Sequence, residues 1–303
     1  MGELKEGNRV STSAFHPSRI TVCAIQMVST LDWQQNHTTA VALLEQAAAA
    51  QCQLAVLPEN FITYGDKNTP DEQQQFQFIQ DYAALAKKLN LWIVAGTFPL
   101  HSHVLAKTFK QYQRISSDRR PYAACLVFDP QGTAVAAYTK LHLFDVDVKD
   151  LDGSNGVQRY CESDVFRPGE SPAVFQAFNQ TSGLAVCYDL RFPELFRVLI
   201  DKGCRFICFP SAFTAKTGQA HWRTLVCARA IETQCYIIAA NQGGLHPNGR
   251  ETWGETIIVD PWGSVLASID KGEGIAVAEM DFDFVAQCRD AMPVSQHRRL
   301  DRC

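Results

Sequence analysis

The segment SGLAVCYDLRFPE at residues 182–194 decides the fold. Its first part is apolar and is typical of a buried strand, Gly183–Cys187, while Pro193 suits the first turn of a helix. We expect that helix to cover Pro193–Ile200, so the chain passes from strand to helix within six residues of the cysteine. A turn of this kind can present a nucleophile at the end of a sheet, with free backbone N–H groups beside it.

Outside this segment, short apolar runs alternate with helical patterns, and the second half of the chain repeats features of the first. Two turn signals match, DPQG at 129–132 and DPWG at 260–263, and each predicts a hairpin with a type I turn. Two strand ends also match, LPENF at 57–61 and FPSAF at 209–213. These pairs indicate an internal duplication. We predict an α/β fold of four layers, an α-β-β-α sandwich of two mixed sheets with helices outside.

The composition excludes several classes of protein. Of the 303 residues, 46% are hydrophobic and 20% are charged, which excludes a disordered chain. A net charge of -4 implies no broad basic surface, so we expect no nucleic-acid partner. No run of about 18 apolar residues exists, so no membrane span is expected. Residues 1–18 lack the apolar core of a secretory signal, and we expect a flexible tail there, followed by a single domain over 19–303.

The 11 cysteines are spread along the chain, mostly inside apolar runs, where a thiol behaves as a small buried hydrophobe. Cys204 and Cys208 have no nearby partners that would complete a zinc set, so we predict no metal site. Free thiols favour a reducing compartment, the cytoplasm. The usual nucleotide-binding fingerprints are absent, and Gly243-Gly244 is interpreted as a turn.

Three ionisable residues stand at the ends of predicted strands and could carry chemistry: Glu59, Lys140 and Cys187. If they converge, Cys187 can attack a carbonyl carbon after Glu59 has taken its proton, and Glu59 can later activate water. Lys140 and the backbone N–H of Tyr188 would then stabilise the oxyanion. The structural alternatives are a buried thiol, a solvent-facing loop acid and a surface lysine.

His142 offers a competing interpretation, a Cys–His dyad. In an extended strand its side chain would project to the same face as that of Lys140, two residues earlier. A structural histidine is the favoured interpretation, because no Asn or Asp that would orient the ring can be assigned from the sequence.

Three blocks of the sequence resemble, in the same order, the signature blocks of the nitrilase (carbon–nitrogen hydrolase) superfamily. They are PENF at 58–61, YTKLHLFD at 138–145 and VCYDLRFPE at 186–194. The likeness runs from about residue 19 to residue 293. It implies the four-layer sandwich, homodimers or larger homo-oligomers whose sheets continue across the interface, catalysis by a Glu–Lys–Cys triad, and no metal or organic cofactor.

The resemblance also implies roles for further residues. Glu162 matches the family's second glutamate, which helps to position the lysine and the substrate. Arg191 matches an arginine that holds a substrate carboxylate in relatives acting on α-keto acid monoamides, although an ion pair with Glu194 is an alternative. Phe213 and Thr217 match pocket residues of the same relatives, or could serve packing alone.

Within the superfamily, residues 142–148, 228–236 and 294–299 resemble the deaminated-glutathione amidase branch. That branch cleaves a small-molecule amide into 2-oxoglutarate and cysteinylglycine. Alternatives are an ω-amidase acting on α-ketoglutaramate, or a hydrolase of N-carbamoyl amino acids or aliphatic amides. A catalytically silent binding protein on this fold and a papain-like hydrolase relying on His142 are alternatives from other classes. The loop Lys149–Tyr160 is longer than the family pattern and is expected near the entrance.

Overall fold

The computed structural model describes residues 18–65, 70–112, 117–149 and 157–300. The strands are β1 (Arg19–Gln26), β2 (Leu54–Val56), β3 (Trp92–Leu100), β4 (Tyr122–Phe128), β5 (Ala134–Thr139), β6 (Asp145–Lys149), β7 (Val157–Cys161), β8 (Ala173–Ala177), β9 (Gln180–Leu184), β10 (Cys204–Ser211), β11 (Tyr236–Asn241), β12 (Thr256–Val259), β13 (Val265–Ile269) and β14 (Gly274–Asp281). The α-helices are α1 (Trp33–Ala49), α2 (Glu72–Leu89), α3 (Ser102–Thr108), α4 (Pro193–Asp201), α5 (Ala215–Thr233) and α6 (Phe282–Ala291).

The strands form two six-stranded sheets, β14-β1-β2-β3-β4-β5 and β13-β12-β11-β10-β9-β8, and a ribbon of β6 and β7. In each large sheet three neighbouring strands are parallel and the flanking ones are antiparallel. The run β1-α1-β2-α2-β3-β4-β5 is repeated by β9-α4-β10-α5-β11-β12-β13, and β14 and β8 occupy equivalent edges. The predicted α-β-β-α sandwich and its internal duplication are confirmed.

The alternation along β1 shows how the layers are held together. Val22 and Ala24 belong to the core between the two sheets, whereas Cys23 and Ile25 belong to the core beneath α1 and α2. All four side chains are fully buried. A strand covered on both faces needs an unbroken apolar run, which is why periodicity alone cannot say which face is which.

Both predicted hairpins form, with the same hydrogen bonds. The Asp129 carboxylate accepts from the N–H groups of Gln131 and Thr133 at 3.0 and 2.8 Å. The Asp260 carboxylate accepts from the N–H groups of Trp262 and Ser264, both at 2.8 Å. The duplication therefore extends to individual turn contacts.

Some elements differ from the prediction. The strand β9 ends at Leu184 rather than at Cys187, and Cys187–Arg191 forms a short 3-10 turn before α4. The hairpin partner β8, the ribbon, β14, α3 and α6 were not predicted, because their short mixed patterns lack a clear period. Residues 1–17 of the expected tail, and residues 150–156 of the long loop, lie outside the described residues.

Candidate active site

Glu59 follows β2 on a turn that is held from two directions. Its carbonyl accepts from Gln242 Nε2 at 3.1 Å, and the next N–H, of Asn60, donates to Thr97 Oγ1 at 2.8 Å. The turn presses against β3 at Gly96, where an added Cβ would lie 1.8 Å from the Pro58 carbonyl oxygen. Glycine at that position lets the backbone approach closely enough to fix the buried Glu59 side chain.

Lys140 follows β5 and is almost completely buried. Its backbone N–H donates to Ala123 at 3.0 Å, and its Nζ donates to Glu59 Oε1 and Glu162 Oε2, both at 2.7 Å. Burial opposes the charge on Lys140, but the carboxylates of Glu162 and Glu59 outweigh it and raise the pKa of the ammonium well above its usual value. The lysine therefore stays charged at neutral pH.

Glu162 stands in a short 3-10 turn that follows β7. Besides Lys140, its Oε2 accepts from the N–H of Phe144 at 2.7 Å, so it ties the segment after Lys140 to the ribbon. Burial, helped by the charge of Glu59, raises the pKa of the Glu162 carboxyl, and Lys140 opposes that shift. Its side chain is only 16% exposed and makes two hydrogen bonds, so Glu162 is not a freely solvated loop acid.

Cys187 opens the turn after β9 in a left-handed conformation, with φ of 49°. Non-glycine residues rarely adopt this conformation, and it is often found where a side chain is held for chemistry. The thiol is buried and interacts with the Glu59 carboxylate and the backbone N–H of Ala212. Burial and the Glu59 charge raise the pKa of the thiol well above its usual value, against the opposing effect of Lys140. The resting sulfur is therefore a neutral thiol beside a base.

The turn is anchored by Asp189, whose carboxylate is fully buried. Its Oδ2 accepts from the N–H of Val186 at 2.8 Å and from the Tyr138 hydroxyl at 2.7 Å, and its Oδ1 lies 2.6 Å from His142 Nδ1. One carboxylate thus joins the segment of Cys187 to the segment of Lys140. A second support comes from Arg229 in α5, whose guanidinium donates to the Leu190 carbonyl at 2.6 and 3.0 Å.

His142 does not form a dyad with Cys187. Its Nδ1 is engaged by Asp189, and its ring stacks on Phe192 with 3.7 Å between centroids. The shared face with Lys140 would require an extended strand, but β5 ends at Thr139 and the chain bends at residues 141 and 142. These contacts agree with the favoured interpretation of His142 as a structural histidine. His142 is not among the described residues that line the cavity above Cys187.

A cavity of about 200 Å³ opens above these groups. Glu59, Lys140, Glu162 and Cys187 lie on its wall, so the structure brings together the four residues that the sequence named from distant segments. The first N–H groups of a helical turn have no partner within the turn, so the Tyr188 N–H next to Cys187 is a candidate oxyanion donor. The arrangement can hold a nucleophile, a base and a cation around one carbonyl group.

A family model for carbon-nitrogen hydrolases matches residues 19–290. This chain belongs to the carbon–nitrogen hydrolase family. It is 38% identical to a deaminated glutathione amidase of Homo sapiens, over 96% of this chain and 85% of that protein. It is 36% identical to one of Synechocystis, over 91% of this chain and 96% of that protein.

Solved structures show the same architecture. The NitFhit protein of C. elegans matches with a TM-score of 0.77 and 33% identity, over 93% of this chain and 65% of that longer one. Saccharomyces cerevisiae Nit3, described as a member of branch 10 of the nitrilase superfamily, matches with a TM-score of 0.75 and 26% identity, over 93% of this chain and 97% of Nit3. The predicted family resemblance is confirmed, and with it the expectation of a hydrolase that acts on amides.

In this carbon–nitrogen hydrolase, the three residues expected to bind substrate also line the cavity. Arg191 lies over the rings of Phe213 and Tyr188, 5.8 and 6.0 Å from their centroids, and donates to His221 Nδ1 at 3.3 Å. The ion pair with Glu194 is not formed among the described residues. Thr217 is also part of the cap of α5, where its N–H donates to the Thr214 hydroxyl.

Sequence reasoning did not find three further residues of the cavity wall: Tyr64, Tyr160 and Arg250. Tyr160 lies two residues before Glu162, and this closeness in sequence was a local signal that it belongs to the site. Tyr64 and Arg250 lie far from any signature block, and they reach the site only through the folding of loops after β2 and β11. No local pattern could have shown this.

Within the described ranges, no helix is both long and apolar enough to cross a membrane. Nor does that part of the chain gather three or more His, Cys, Asp or Glu side chains in a group able to hold a metal ion.

Proposed function

We propose that this enzyme hydrolyses the amide bond of deaminated glutathione, giving 2-oxoglutarate and cysteinylglycine, through a thioester on Cys187. The observation that carries the proposal is the Lys140 ammonium held at 2.7 Å by both Glu59 and Glu162, in the cavity that Cys187 also lines. Relatives that bear the name deaminated glutathione amidase support the choice of substrate.

In the first half of the reaction, Glu59 takes the thiol proton as the sulfur of Cys187 attacks the amide carbon. Lys140 and the Tyr188 N–H stabilise the negative charge that develops on the carbonyl oxygen. Glu59 then gives its proton to the amide nitrogen. The C–N bond breaks, the amine leaves, and the acyl group stays on sulfur as a thioester.

In the second half, a water molecule enters the place of the amine. Glu59 takes a proton from that water as its oxygen attacks the thioester carbon. The C–S bond breaks, the acid leaves, and the proton returns to the sulfur. The raised pKa of the Cys187 thiol favours this return, because burial and the Glu59 charge disfavour a free thiolate.

The acyl part of this substrate carries an α-keto carboxylate, and Arg191 is placed to bind it. In the described ranges its guanidinium pairs with no carboxylate, and it faces the cavity beside Phe213. A guanidinium binds a carboxylate through two parallel hydrogen bonds, which also fixes its orientation. Thr217, on the same wall, can add a hydroxyl contact.

The test is a comparison of kcat/KM for deaminated glutathione and for α-ketoglutaramate, since discrimination is the ratio of those values. We expect the first compound to be preferred. Arg191→Gln should lower kcat/KM for both by roughly 10- to 100-fold, the usual range for a lost charged hydrogen bond. Preference for α-ketoglutaramate would reject the proposed substrate while leaving the family assignment intact.

We also propose a homodimer in a reducing compartment, the cytoplasm. Two large apolar side chains, Ile231 of α5 and Trp262 of the second hairpin, are 47% and 58% exposed in the single chain. Ile231 lies against Gly263, the residue after Trp262, so the two side chains are neighbours, and a contiguous exposed apolar patch often marks an interface. The reducing compartment is supported by the ten described cysteines, which are free thiols, as expected where disulfides do not persist. Sedimentation equilibrium would test the dimer, and a strictly monomeric species would reject it.

A further inference from the structure

Besides Lys140 and Arg191, the cavity wall carries a third cation, the guanidinium of Arg250, which the proposed mechanism does not use. Arg250 is exposed and lines the cavity, with its guanidinium 5.4 Å from the centroid of the Tyr160 ring. A row of aromatic rings connects Arg250 with the second guanidinium, that of Arg191. Tyr160 contacts Phe144 at 5.1 Å and Phe144 contacts Tyr188 at 5.0 Å, and Arg191 lies over Tyr188. The wall therefore carries a guanidinium at each end of an aromatic strip.

Arg250 is carried by a loop that is pinned to the rest of the molecule. Residues 244–252 form a small hairpin, with Leu245 opposite Glu251 and the N–H of His246 donating to the Arg250 carbonyl at 2.8 Å. His246 is buried and stacks on Tyr64 with 3.8 Å between centroids. Its Nδ1 donates to the Ser29 carbonyl and its Nε2 accepts from Thr252, both at 2.8 Å. The Arg250 backbone is thus placed before any ligand arrives.

The Arg250 side chain is available for a ligand. In the ranges that the structure describes, no carboxylate pairs with it. The adjacent acid, Glu251, is bound by Lys271 at 2.5 Å. A pinned cation at the edge of a reaction cavity, facing an aromatic ring, is suited to an anionic group of the substrate.

The position of Arg250 in the cavity indicates which part of the substrate it contacts. The reacting carbonyl must lie at Cys187, which is 8% exposed, and the amine must leave toward the opening, where Arg250 is exposed. Arg250 and Cys187 line the same cavity, and a leaving group of two residues, at most about 7 Å long, can extend from the reacting carbonyl along its wall toward Arg250.

We propose that Arg250 binds the carboxylate at the far end of the leaving amine, so that the enzyme selects amides whose two parts each carry a carboxylate. Arg191 takes the carboxylate of the acyl part and Arg250 that of the amine part. The inference rests on the proposed function and extends it by a specificity-determining residue. An amide whose leaving group is ammonia has no second carboxylate that Arg250 could bind.

The experiment combines a change in the protein with a change in the substrate. Wild type and Arg250→Gln are assayed with deaminated glutathione and with the same compound carrying a C-terminal carboxamide in place of its terminal carboxylate. We expect wild type to prefer the carboxylate by roughly 5- to 30-fold in kcat/KM, less than the 10- to 100-fold expected at Arg191, because the Arg250 site is more exposed. The preference should appear mainly in KM and should fall to about onefold in the variant.

Two further variants complete the design. Arg250→Lys keeps the charge and should retain part of the preference. Arg19→Gln, a matched loss of an exposed arginine that pairs with Glu279 and Asp281, should show the full wild-type preference.

Each result decides between the two proposals. A wild-type enzyme that is inactive on both compounds overturns the proposed function, and this inference with it. A wild-type enzyme that cleaves deaminated glutathione without preferring the carboxylate overturns the Arg250 assignment alone, and so does a preference that survives Arg250→Gln.

Discussion

The two halves of the sandwich share a topology but supply different chemistry to the same region. The turn after β2 ends in Glu59, and the matching end of β10 carries Ser211. Three residues beyond β9 stands Cys187, and three residues beyond β1 stands Ser29. Both halves therefore present polar side chains at the carboxyl ends of their parallel strands, where open α/β sheets commonly bind ligands.

The hydrogen bonding explains why Cys187 is reactive and its counterpart Ser29 is structural. Ser29 is enclosed by partners, since its hydroxyl donates to the Phe61 carbonyl at 2.9 Å and accepts from Gln242 Nε2 at 2.8 Å. Cys187 instead stands in a left-handed conformation against a carboxylate, with the cavity in front of it. The duplicated scaffold thus provides two pairs of equivalent positions, and the reactive pair combines Glu59 of the first half with Cys187 of the second.

Glu59 and Ser211 give the largest expected contrast. Glu59→Gln removes the proposed base and should lower kcat by roughly 10²- to 10⁴-fold. Ser211→Ala, the matched change at the duplicated position, should leave kcat within about threefold and should not lower stability, because the buried Ser211 hydroxyl has no hydrogen-bond partner in the described part of the structure. Steady-state amide hydrolysis and urea unfolding measure both. Equal losses of activity in the two variants would remove the distinction between the halves.

The next largest expected effect is the loss of stability when Lys140 is replaced. Lys140→Met leaves the buried carboxylate of Glu59 and the mostly buried one of Glu162 without their cation, and should lower the free energy of unfolding by about 3–5 kcal/mol at pH 7. Adding Glu162→Gln removes one of these charges and should restore part of the loss. Urea unfolding of the single and double variants measures this coupling. A double variant less stable than Lys140→Met would contradict the proposed charge balance.

The pH dependence of kcat/KM gives a smaller effect. Burial raises the pKa of the Glu162 carboxyl. As the pH falls, Glu162 is therefore protonated at a higher pH than an ordinary glutamate, whose pKa is about 4.3. Protonation weakens its hold on Lys140, so activity should fall as the pH drops through that raised pKa. Glu162→Gln cannot titrate and should shift the acid limb to lower pH. An acid limb that stays in place would assign it to another group.

The two hairpins give the smallest effect and test the symmetry itself. Asp129→Ala and Asp260→Ala each remove two hydrogen bonds from equivalent turns and should each cost about 1–2 kcal/mol of stability. Neither should change kcat, because neither turn is among the residues that line the cavity. Thermal unfolding of the two variants would show whether the costs match.

Much of the fold could be predicted because its signals are local and occur twice. The DPQG and DPWG turns and the matching ends of β2 and β10 each carry their own sequence pattern. The strand β14 could not be placed by such means, because it comes after the second half and pairs with β1 at the edge of the first sheet. Its position depends on pairing with residues 248 to 262 positions earlier in the chain rather than on its own pattern.

The site likewise contains some residues that could be predicted from the sequence and others that could not. Glu59, Lys140 and Cys187 were named because each ends a strand and because their blocks resemble a known family. The role of Asp189 was not seen, since a carboxylate bonded to Val186, Tyr138 and His142 has meaning only after folding. Arg250 was missed for the same reason, because its loop reaches the cavity through His246.

The most direct test of the account is intact-protein mass spectrometry of the enzyme quenched during turnover of deaminated glutathione. We predict an adduct with the mass of a 2-oxoglutaryl group, located on Cys187 by peptide mapping, and absent from Cys187→Ala, which should be inactive. Cys227→Ala, a half-buried thiol of α5, should show the same adduct as wild type. Full turnover by Cys187→Ala, or an adduct on any other residue, would contradict the account.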